Sequence, residues 1–127
     1  MLFKKLNLNE FDSLKAIMEE DALSPLTMWI SMGRVFMRSE VSDTTLMLRV
    51  NDTTLTIAQI EFSNRRNGYG TRVLDWLKHY AKQNGQTIIK IESANTHMIV
   101  NFAKKHGFTR KEDSYDWYLD SFNGNLT

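Results

Sequence analysis

The chain has 127 residues, of which 42% are hydrophobic and 24% charged, a composition typical of one globular domain. It contains no cysteine, which excludes disulfides, thiolate metal sites and a cysteine nucleophile. Its three histidines have no metal-ligand spacing, no apolar run reaches the roughly 18 residues of a membrane span, and the first residues lack the apolar core of a signal peptide. We therefore expect a single domain over residues 1–127, located in the cytoplasm, without a metal and without a membrane partner.

The net charge of +1 is distributed unevenly along the chain. Residues 64–111 contain ten lysines and arginines against two acidic residues, a balance of +8, whereas the rest of the chain has a balance of −7. A basic block is most often only a solvated surface. This block begins at a glycine-containing turn, however, and that coincidence favours a polyanionic ligand at the turn.

The N-terminal part of the chain predicts one strand and two helices. Residues 2–8 have the pattern of a short strand, and Asn9 is expected to cap the helix that follows. Pro25 stands where a first helical turn accepts proline, so residues 24–32 predict a short second helix. The apolar face of the first helix would consist of Phe11, Leu14, Ile17 and Met18.

Three strand-like segments follow, at residues 34–41, 44–50 and 53–62. They are rich in β-branched residues, and an Asn-Asp pair at positions 51 and 52 marks the bend between the last two. This pattern predicts an antiparallel meander.

Helices and strands alternate in the remainder of the chain. Apolar residues at helical spacing predict a helix that stops at Gly85, and residues 87–92 resemble a buried strand. A further helix, with two lysines in its last turn, would end before Gly107, and residues 107–113 and 115–122 are strand candidates. The element order predicts a mixed α/β (α+β) domain in which helices pack on a mixed sheet. The apolar residues behind the two helix predictions are Val73, Leu74, Leu77, Tyr80 and Ala81, then Ile99, Phe102 and Ala103.

The sequence Arg-Arg-Asn-Gly-Tyr-Gly at residues 65–70 lies between the last strand of the meander and the next helix. A helix N-terminus exposes unpaired backbone N–H groups and the positive end of the helix dipole, and glycine lets a phosphate approach that backbone. No Gly-Lys-Ser/Thr follows, and Arg72 and Val73 stand where a dinucleotide fingerprint has its third glycine. The turn is therefore neither a Walker loop nor a Rossmann fingerprint, and a glycine turn without a ligand stays the alternative.

The segment from residue 54 to residue 108 resembles the GNAT superfamily of N-acetyltransferases. That family has a strand, the pattern Arg/Gln-x-x-Gly-x-Gly/Ala, a helix, a strand that ends near an asparagine, and a helix that ends in Gly-Phe. Here Arg65, Gly68, Gly70, Asn95 and Gly107 with its following phenylalanine occupy those places. The resemblance implies a largely antiparallel sheet of six to seven strands with helices on both faces. It also implies transfer of an acetyl group from acetyl-CoA to a primary amine by direct attack.

The resemblance further implies which residues bind coenzyme A. Backbone N–H groups of residues 66–71 would bind the pyrophosphate, and Arg65 would steady the loop. Ile60 and Phe62 would offer main-chain hydrogen bonds to the pantetheine arm, and Asn95 would contact the pantetheine or the departing sulfur. The cofactor-binding candidates are Ile60, Phe62, Arg65, Arg66, Asn67, Gly68, Tyr69, Gly70, Thr71, Asn95 and Phe102.

The general acid of the family, a tyrosine on the last helix, has no counterpart in this chain. Its place falls on Phe102 when counted from Asn95 and on Ala103 when counted from Gly107. Tyr115 or Tyr118 in the closing strands could replace it, although an aromatic residue there is more often part of the core. A thiolate is also a tolerable leaving group without any acid.

The general base is equally open. An ammonium acceptor must lose a proton before it attacks, and Glu61 and Glu92 stand near the ends of the two strands that flank the expected thioester position. A surface position or a salt bridge is the alternative for each carboxylate. The catalytic candidates are Glu61, Glu92 and Tyr118.

The acceptor is predicted from charge alone. Because the part of the chain outside the basic block carries the −7 balance, we expect a cationic small-molecule amine or protein amine. One alternative is a catalytically inactive, coenzyme A-binding regulatory module, which the missing tyrosine supports. A nucleic-acid-binding domain is disfavoured, because no stripe of basic residues with interleaved aromatics is present. A homodimer is left open.

Overall fold

The computed structural model describes residues 5–65 and 67–120, which form one seven-stranded sheet, three α-helices and one 3-10 helix. The elements are the 3-10 helix Leu8–Phe11, α1 Asp12–Ala22, β1 Leu26–Ser31, β2 Arg34–Ser39, β3 Thr45–Val50, β4 Thr54–Glu61, α2 Tyr69–Asn84, β5 Ile88–Ile91, α3 His97–Lys105, β6 Thr109–Arg110 and β7 Trp117–Leu119. The strand order is β1-β2-β3-β4-β5-β7-β6, and every neighbouring pair is antiparallel except β4 with β5. The predicted mixed, largely antiparallel sheet is confirmed.

The chain enters α1 through a 3-10 turn that Asn7 caps. The Glu10 carboxylate accepts a hydrogen bond from the Asn7 N–H at 2.8 Å, which is half of a capping box. The predicted cap at Asn9 is wrong, because Asn9 lies inside the 3-10 helix. Residues 2–4 of the predicted first strand lie outside the described residues, and residues 5–8 form no strand. The predicted apolar face of α1 is confirmed, with Phe11, Leu14 and Met18 fully buried and Ile17 packed at the edge of the core.

The second helix predicted over residues 24–32 is wrong, because this segment contains the edge strand β1. The reason is the two-residue turn at Met32 and Gly33, whose φ values are 52° and 74°. Two consecutive residues with positive φ match a tight hairpin turn whose twist suits two antiparallel strands. β1 consequently pairs with β2 over its whole length, from Leu26 opposite Ser39 to Ser31 opposite Arg34.

The rest of the predicted meander is confirmed. β2, β3 and β4 are antiparallel neighbours, and Asn51 organises the bend between the last two. Its side-chain oxygen accepts the N–H groups of Thr53 at 2.9 Å and Thr54 at 2.8 Å. An asparagine that bonds the backbone two and three residues ahead is the usual reason for such a bend.

The two later helices and the core confirm the apolar periodicity read from the sequence. α2 packs against α1 and contacts β4 and β5, and it ends at Gly85 with φ of 79°. α3 ends at Lys105 with His106 as its C-cap, so it stops before Gly107 as predicted. The closing strands β6 and β7 are shorter than predicted, and residues 121–122 lie outside the described part. Among the described residues, no helix has the length and apolarity that crossing a bilayer would require.

Candidate functional site

The candidate site begins where β4 and β5 separate. These parallel strands pair over four residues, from Thr54 opposite Ile88 to Ile57 opposite Ile91, and the Glu92 N–H then donates to the Ile57 carbonyl at 3.0 Å. Beyond Ile57, β4 pairs with β3 but not with β5 in the described chain. One edge of β4 therefore faces a gap between diverging strands.

A β-bulge lies at the point of separation. Met47 pairs with Gln59 and the next residue of β3 pairs with Ile57, so Ala58 is the extra residue. Because of this insertion, Ile60 lies on the same face of the strand as Ile57, although the two are three positions apart. The bulge thus changes which side chains and backbone groups β4 presents to the gap.

The gap is the mouth of a cavity of about 950 Å³, at the upper end of the size range of small-molecule sites. Glu61 and Glu92 line it as well as the predicted coenzyme A residues. Arg66 lies outside the described residues, so its predicted contact stays a prediction. The cofactor-binding candidates that line the cavity are Ile60, Phe62, Arg65, Asn67, Gly68, Tyr69, Gly70, Thr71, Asn95 and Phe102.

The two glycines of the turn are needed for different reasons. Gly68 is the N-cap of α2 and has φ of 78°, a left-handed conformation that side chains rarely adopt, while the space around it is open. Gly70 instead lies against Phe102, since a Cβ at Gly70 would be 2.9 Å from Cε1 of that ring. Among the described residues no side chain caps α2, and its first turn has no acidic residue, so its free N–H groups are available to a ligand.

The C-terminal end of α3 supplies cationic and imidazole groups to the same cavity. Lys105 and His106 both line it, and His106 Nε2 lies 3.4 Å from the Thr71 hydroxyl at the start of α2. Burial, followed by the charges of Lys105 and Lys78, lowers the pKa of His106 below its usual range. The imidazole is therefore neutral at neutral pH. The sequence gives no indication that His106 belongs to the site.

Arg72, although close to the turn, is held by another partner. Both of its terminal nitrogens donate to the Glu20 carboxylate at 2.9 Å, and its guanidinium lies 5.8 Å from the centre of the Tyr69 ring. This bidentate pair joins the first turn of α2 to the last turns of α1. Arg72 therefore fixes the helix rather than offering a free charge to the cavity.

A buried carboxylate holds the other end of the turn. Asp21 of α1 has no exposed surface, and its Oδ2 accepts the Thr44 hydroxyl at 2.5 Å and the Ser63 N–H at 2.7 Å. Its Oδ1 accepts the Asn64 N–H at 2.7 Å, and its carbonyl accepts the Asn64 side-chain amide at 2.5 Å. We call these four residues, Asp21, Thr44, Ser63 and Asn64, the Asp21 cluster.

Sequence reasoning missed the Asp21 cluster, although one signal for it is present. Asp21 stands seven residues after Leu14 and three after Met18, which places a carboxylate on the apolar stripe of α1. A charged residue at such a position is buried only when other groups hydrogen-bond it fully. The sequence contains no indication that the partners would come from residues 44, 63 and 64.

The two carboxylates proposed as bases have different surroundings. Glu92 receives hydrogen bonds from both terminal nitrogens of Arg49, and this contact holds the pKa of Glu92 below its usual range. Glu61 is exposed at the end of β4, opposite Thr45, and no ion pair involves it among the described residues. A base works best with a pKa near the working pH, so the contact with Arg49 makes Glu92 poorly suited to this role.

Neither tyrosine of the closing segment lines this cavity. Tyr118 lies on β7 opposite Lys90, with the ammonium groups of Lys90 and Lys111 at 5.6 and 5.8 Å from its ring centre. Tyr115 lines a smaller groove between α3 and the closing strands. Phe102 of α3 does line the cavity, in the region where the family's tyrosine is expected.

The split parallel pair, the bulge and the glycine turn define a GNAT-like fold, and comparison with solved structures agrees. An anti-CRISPR protein, AcrVA5, superposes with a TM-score of 0.54 at 16% identity, over 68% of this chain and 98% of that one. A GNAT-family protein from Desulfovibrio desulfuricans gives 0.54 at 14%, over 91% and 83%. GCN5 from Tetrahymena gives 0.52 at 17%, over 87% and 76%. The chain matches no protein-family model and no curated protein.

Proposed function

We propose that the protein is an acetyl-CoA-dependent N-acetyltransferase. One cavity connects the start of α2, at Gly68 to Thr71, with the gap between β4 and β5. This observation carries the proposal. The first feature suits a pyrophosphate and the second an extended arm that ends in a thioester. The fold supports the proposal, because similar structures include GNAT-family proteins.

Coenzyme A would lie with its pyrophosphate on the backbone N–H groups at the start of α2. There the helix dipole and the unpaired donors favour negative charge, and Arg65 and Lys105 of the cavity wall add to the attraction. The neutral His106 offers a hydrogen bond next to Thr71. Asn95, which also lines the cavity, would contact the pantetheine arm.

The pantetheine amides would bind along the free edge of β4. Beyond Ile57 this edge has no partner strand in the described chain, and an extended ligand can use the unpaired backbone groups as an added strand would. The thioester would then reach the bulge at Ala58. A backbone N–H close to Ile60 would polarise the thioester carbonyl, which favours attack because charge develops on that oxygen.

The reaction itself needs few side chains. A protonated acceptor first loses one proton to Glu61, directly or through water, and Glu61 passes this proton on to solvent. The lone pair of the resulting neutral amine attacks the thioester carbon, a C–N bond forms, and the C–S bond breaks to release the coenzyme A thiolate. The extra proton of the attacking nitrogen passes to Glu61 directly or through water, and the thiolate takes a proton from solvent. Cavity-lining Phe102 has no hydroxyl to donate, so departure without a side-chain acid is part of the proposal.

The acceptor we propose is a cationic amine of a small molecule or a protein. Glu61 supports this choice, because it is a cavity carboxylate without an ion-pair partner among the described residues. Glu92 adds little attraction, since Arg49 neutralises it. The expected electrostatic effect is local to the mouth of the cavity and should weaken with salt.

The second candidate function is an inactive, coenzyme A-binding module of the same fold. The specific observation in its favour is that Phe102 lines the cavity near the expected acid position, whereas Tyr115 and Tyr118 do not line it. Such a module would bind coenzyme A and acetyl-CoA equally well but would release no free thiol in the presence of any amine.

Calorimetry and a turnover assay test both candidates. Titration with acetyl-CoA and with coenzyme A should show one site per chain, and an amine panel should give thiol release at low salt that is fastest for dicationic acceptors. Binding without release on any acceptor would favour the inactive module. Absence of binding to either nucleotide would contradict the cofactor proposal itself.

A further inference from the structure

We propose that Asp21 is a positioning residue, whose carboxylate fixes the backbone at Ser63 and Asn64 and thereby sets the conformation of the described residues of the phosphate-binding turn, 65 and 67–71. This inference rests on the proposed coenzyme A site. The carboxylate does not line the cavity and would not contact the ligand. It acts through the backbone of Ser63 and Asn64, which connect β4 to the turn.

The bonding pattern requires a carboxylate at this position. Three groups that donate to it, the Thr44 hydroxyl and the N–H groups of Ser63 and Asn64, all need an acceptor. An ionised carboxylate has only acceptor atoms, whereas the amide of an asparagine would direct an NH₂ group at one of the donors. A side chain of the same shape without the second acceptor oxygen therefore cannot hold both backbone N–H groups.

Because the Asp21 carboxylate is buried, water cannot replace any hydrogen-bond donor that it loses. Asp21 has no exposed surface, and no cation lies within ion-pair distance of it among the described residues. A buried charge without a counter-ion is tolerated only when hydrogen bonds replace its lost hydration. If the turn moved away from Asp21, the carboxylate would lose two of its three donors, so the turn is held in one conformation.

The effect reaches the start of α2 through Asn64 and Asn67. The Asn67 side-chain amide donates to the Asn64 carbonyl at 3.0 Å and to the Arg65 carbonyl at 3.2 Å. Asn67 directly precedes Gly68, the N-cap of α2. A continuous set of hydrogen bonds therefore connects Asp21, through Asn64, with Asn67, the residue directly before the N-cap of α2.

Asp21 also has a neighbour that holds the far end of the turn. Glu20 binds Arg72, in the first turn of α2, with two hydrogen bonds of 2.9 Å. Two consecutive acidic residues of α1 thus hold residues 63–64 and residue 72, on either side of the proposed pyrophosphate site. The Glu20 pair is exposed, so we assign the larger effect to Asp21.

The test compares Asp21→Asn with a matched control, Gln86→Leu. Gln86 is also buried, and its amide donates to the Asn51 carbonyl at 2.9 Å, at the opposite end of β4 and β5 from the turn. Both variants should lower the melting temperature. Calorimetry with coenzyme A should show at least about tenfold weaker binding for Asp21→Asn and less than about twofold change for Gln86→Leu.

Two further readouts separate positioning from general destabilisation. S-acetyl-pantetheine, which lacks the pyrophosphate, should bind Asp21→Asn as well as it binds the parent protein. Amide hydrogen exchange of the ligand-free protein should accelerate at residues 63–71 in Asp21→Asn but not in Gln86→Leu. If Asp21→Asn does not fold, Thr44→Val removes one donor outside the cavity and should weaken coenzyme A binding about threefold without affecting S-acetyl-pantetheine.

The outcomes are distinct. Unchanged coenzyme A affinity in a folded Asp21→Asn, or equal losses in Asp21→Asn and Gln86→Leu, would overturn the role of Asp21 while the cofactor proposal stands. Equal losses for coenzyme A and S-acetyl-pantetheine would also overturn it, because the effect would not pass through the pyrophosphate. Failure of the parent protein to bind coenzyme A would overturn the proposed function, and this inference with it.

Discussion

Gly70 and Phe102 are in direct contact across the junction of α2 and α3: a Cβ on the glycine would stand 2.9 Å from Cε1 of the ring. A Cβ also comes within 3.7 Å of Phe62, at the end of β4. The absence of a side chain at residue 70 therefore brings together three of the segments that line the cavity. A glycine that sequence reasoning assigns to ligand approach is also a packing requirement.

This contact predicts an energetic coupling. In the parent protein, Gly70→Ala gains helix propensity but crowds the Phe102 ring, whereas in a Phe102→Leu background the crowding is relieved and only the gain of roughly 0.5–1 kcal/mol remains. Urea denaturation of the four proteins should give a coupling free energy of at least about 0.5 kcal/mol. Additive effects of the two substitutions would show that the contact is not tight.

The two ends of α2 provide a matched test of the phosphate site. Gly68 and Gly85 have φ values of 78° and 79°, and a Cβ at either meets no atom within 4 Å. Aspartate at Gly68 places a negative charge at the N-terminus of α2, where it stabilises the helix through the dipole but repels a pyrophosphate. Aspartate at Gly85 places the charge at the C-terminus, where it destabilises the helix, and this residue does not line the cavity.

We therefore expect opposite rankings in two assays. Gly68→Asp should be the more stable variant in urea, yet its affinity for coenzyme A should fall about 100-fold, or about 2.7 kcal/mol. Gly85→Asp should be less stable and should bind coenzyme A within about twofold of the parent protein. Retained affinity in Gly68→Asp would remove the start of α2 from the proposed site.

The two cavity carboxylates should differ in their effect on turnover. Glu61→Gln should lower kcat about 10²-fold with an acceptor whose amine is protonated at neutral pH, because the proton acceptor is lost. Glu92→Gln should have a much smaller effect, since Arg49 already lowers the pKa of Glu92. An acceptor with a weakly basic amine should restore most of the rate to Glu61→Gln. A larger loss for Glu92→Gln would reverse the assignment.

The Arg49–Glu92 pair also predicts a pH dependence of stability. The hydrogen bonds from Arg49 hold the folded-state pKa of Glu92 below that of the unfolded chain. The pair's stabilisation is thus fully present above the unfolded pKa of about 4.3 and is lost as the pH falls through the folded value. Melting temperatures of the parent protein and Glu92→Gln should differ at pH 7 and converge in acid. A constant difference down to pH values of about 2 would contradict this linkage.

Tyr118 should be dispensable for the chemical step. It lies on β7 beside Lys90 and Lys111 and does not line the cavity, so Tyr118→Phe should leave kcat within about threefold, or roughly 0.7 kcal/mol in the barrier. Single-turnover measurements with a saturating amine report this step. A loss of about 10²-fold in a folded variant would identify Tyr118 as a relocated acid.

The sequence predicts elements that depend on residues close together in the chain better than it predicts elements that depend on turn conformation and strand pairing. The periodicity of Val73, Leu77 and Tyr80 identified α2 because a helix buries residues that are close in sequence. The sequence predicts a helix in place of β1, because Pro25 is compatible with both structures and the deciding feature is the turn at Met32 and Gly33 with positive φ. Backbone conformation of this kind is only weakly encoded by a methionine.

In the candidate site, too, contiguous residues are easier to predict from the sequence than contacts between distant residues. The glycine turn was recognisable because its residues are contiguous, and all of its described members line one cavity. The partners of Asp21 and Glu92 were not predictable, because their contacts join residues 23 to 43 positions apart. Such pairs depend on how the sheet places its strands, and a single sequence contains no record of that placement.

The hydrogen bonds of α1 have a consequence for protein engineering. Residues 54–108 contain every element of the recognisable motif, yet the backbone ahead of the glycine turn is held by Asp21 and the helix after it by Glu20. A graft of the motif segment onto another sheet would leave five donors without their acceptors: the Ser63 N–H, the Asn64 N–H and side-chain amide, and the two terminal nitrogens of Arg72. A graft that keeps these contacts must therefore include the segment together with the last turns of α1 and Thr44. Chimaeras with a crossover between residues 22 and 54 should keep the motif sequence but should no longer bind coenzyme A.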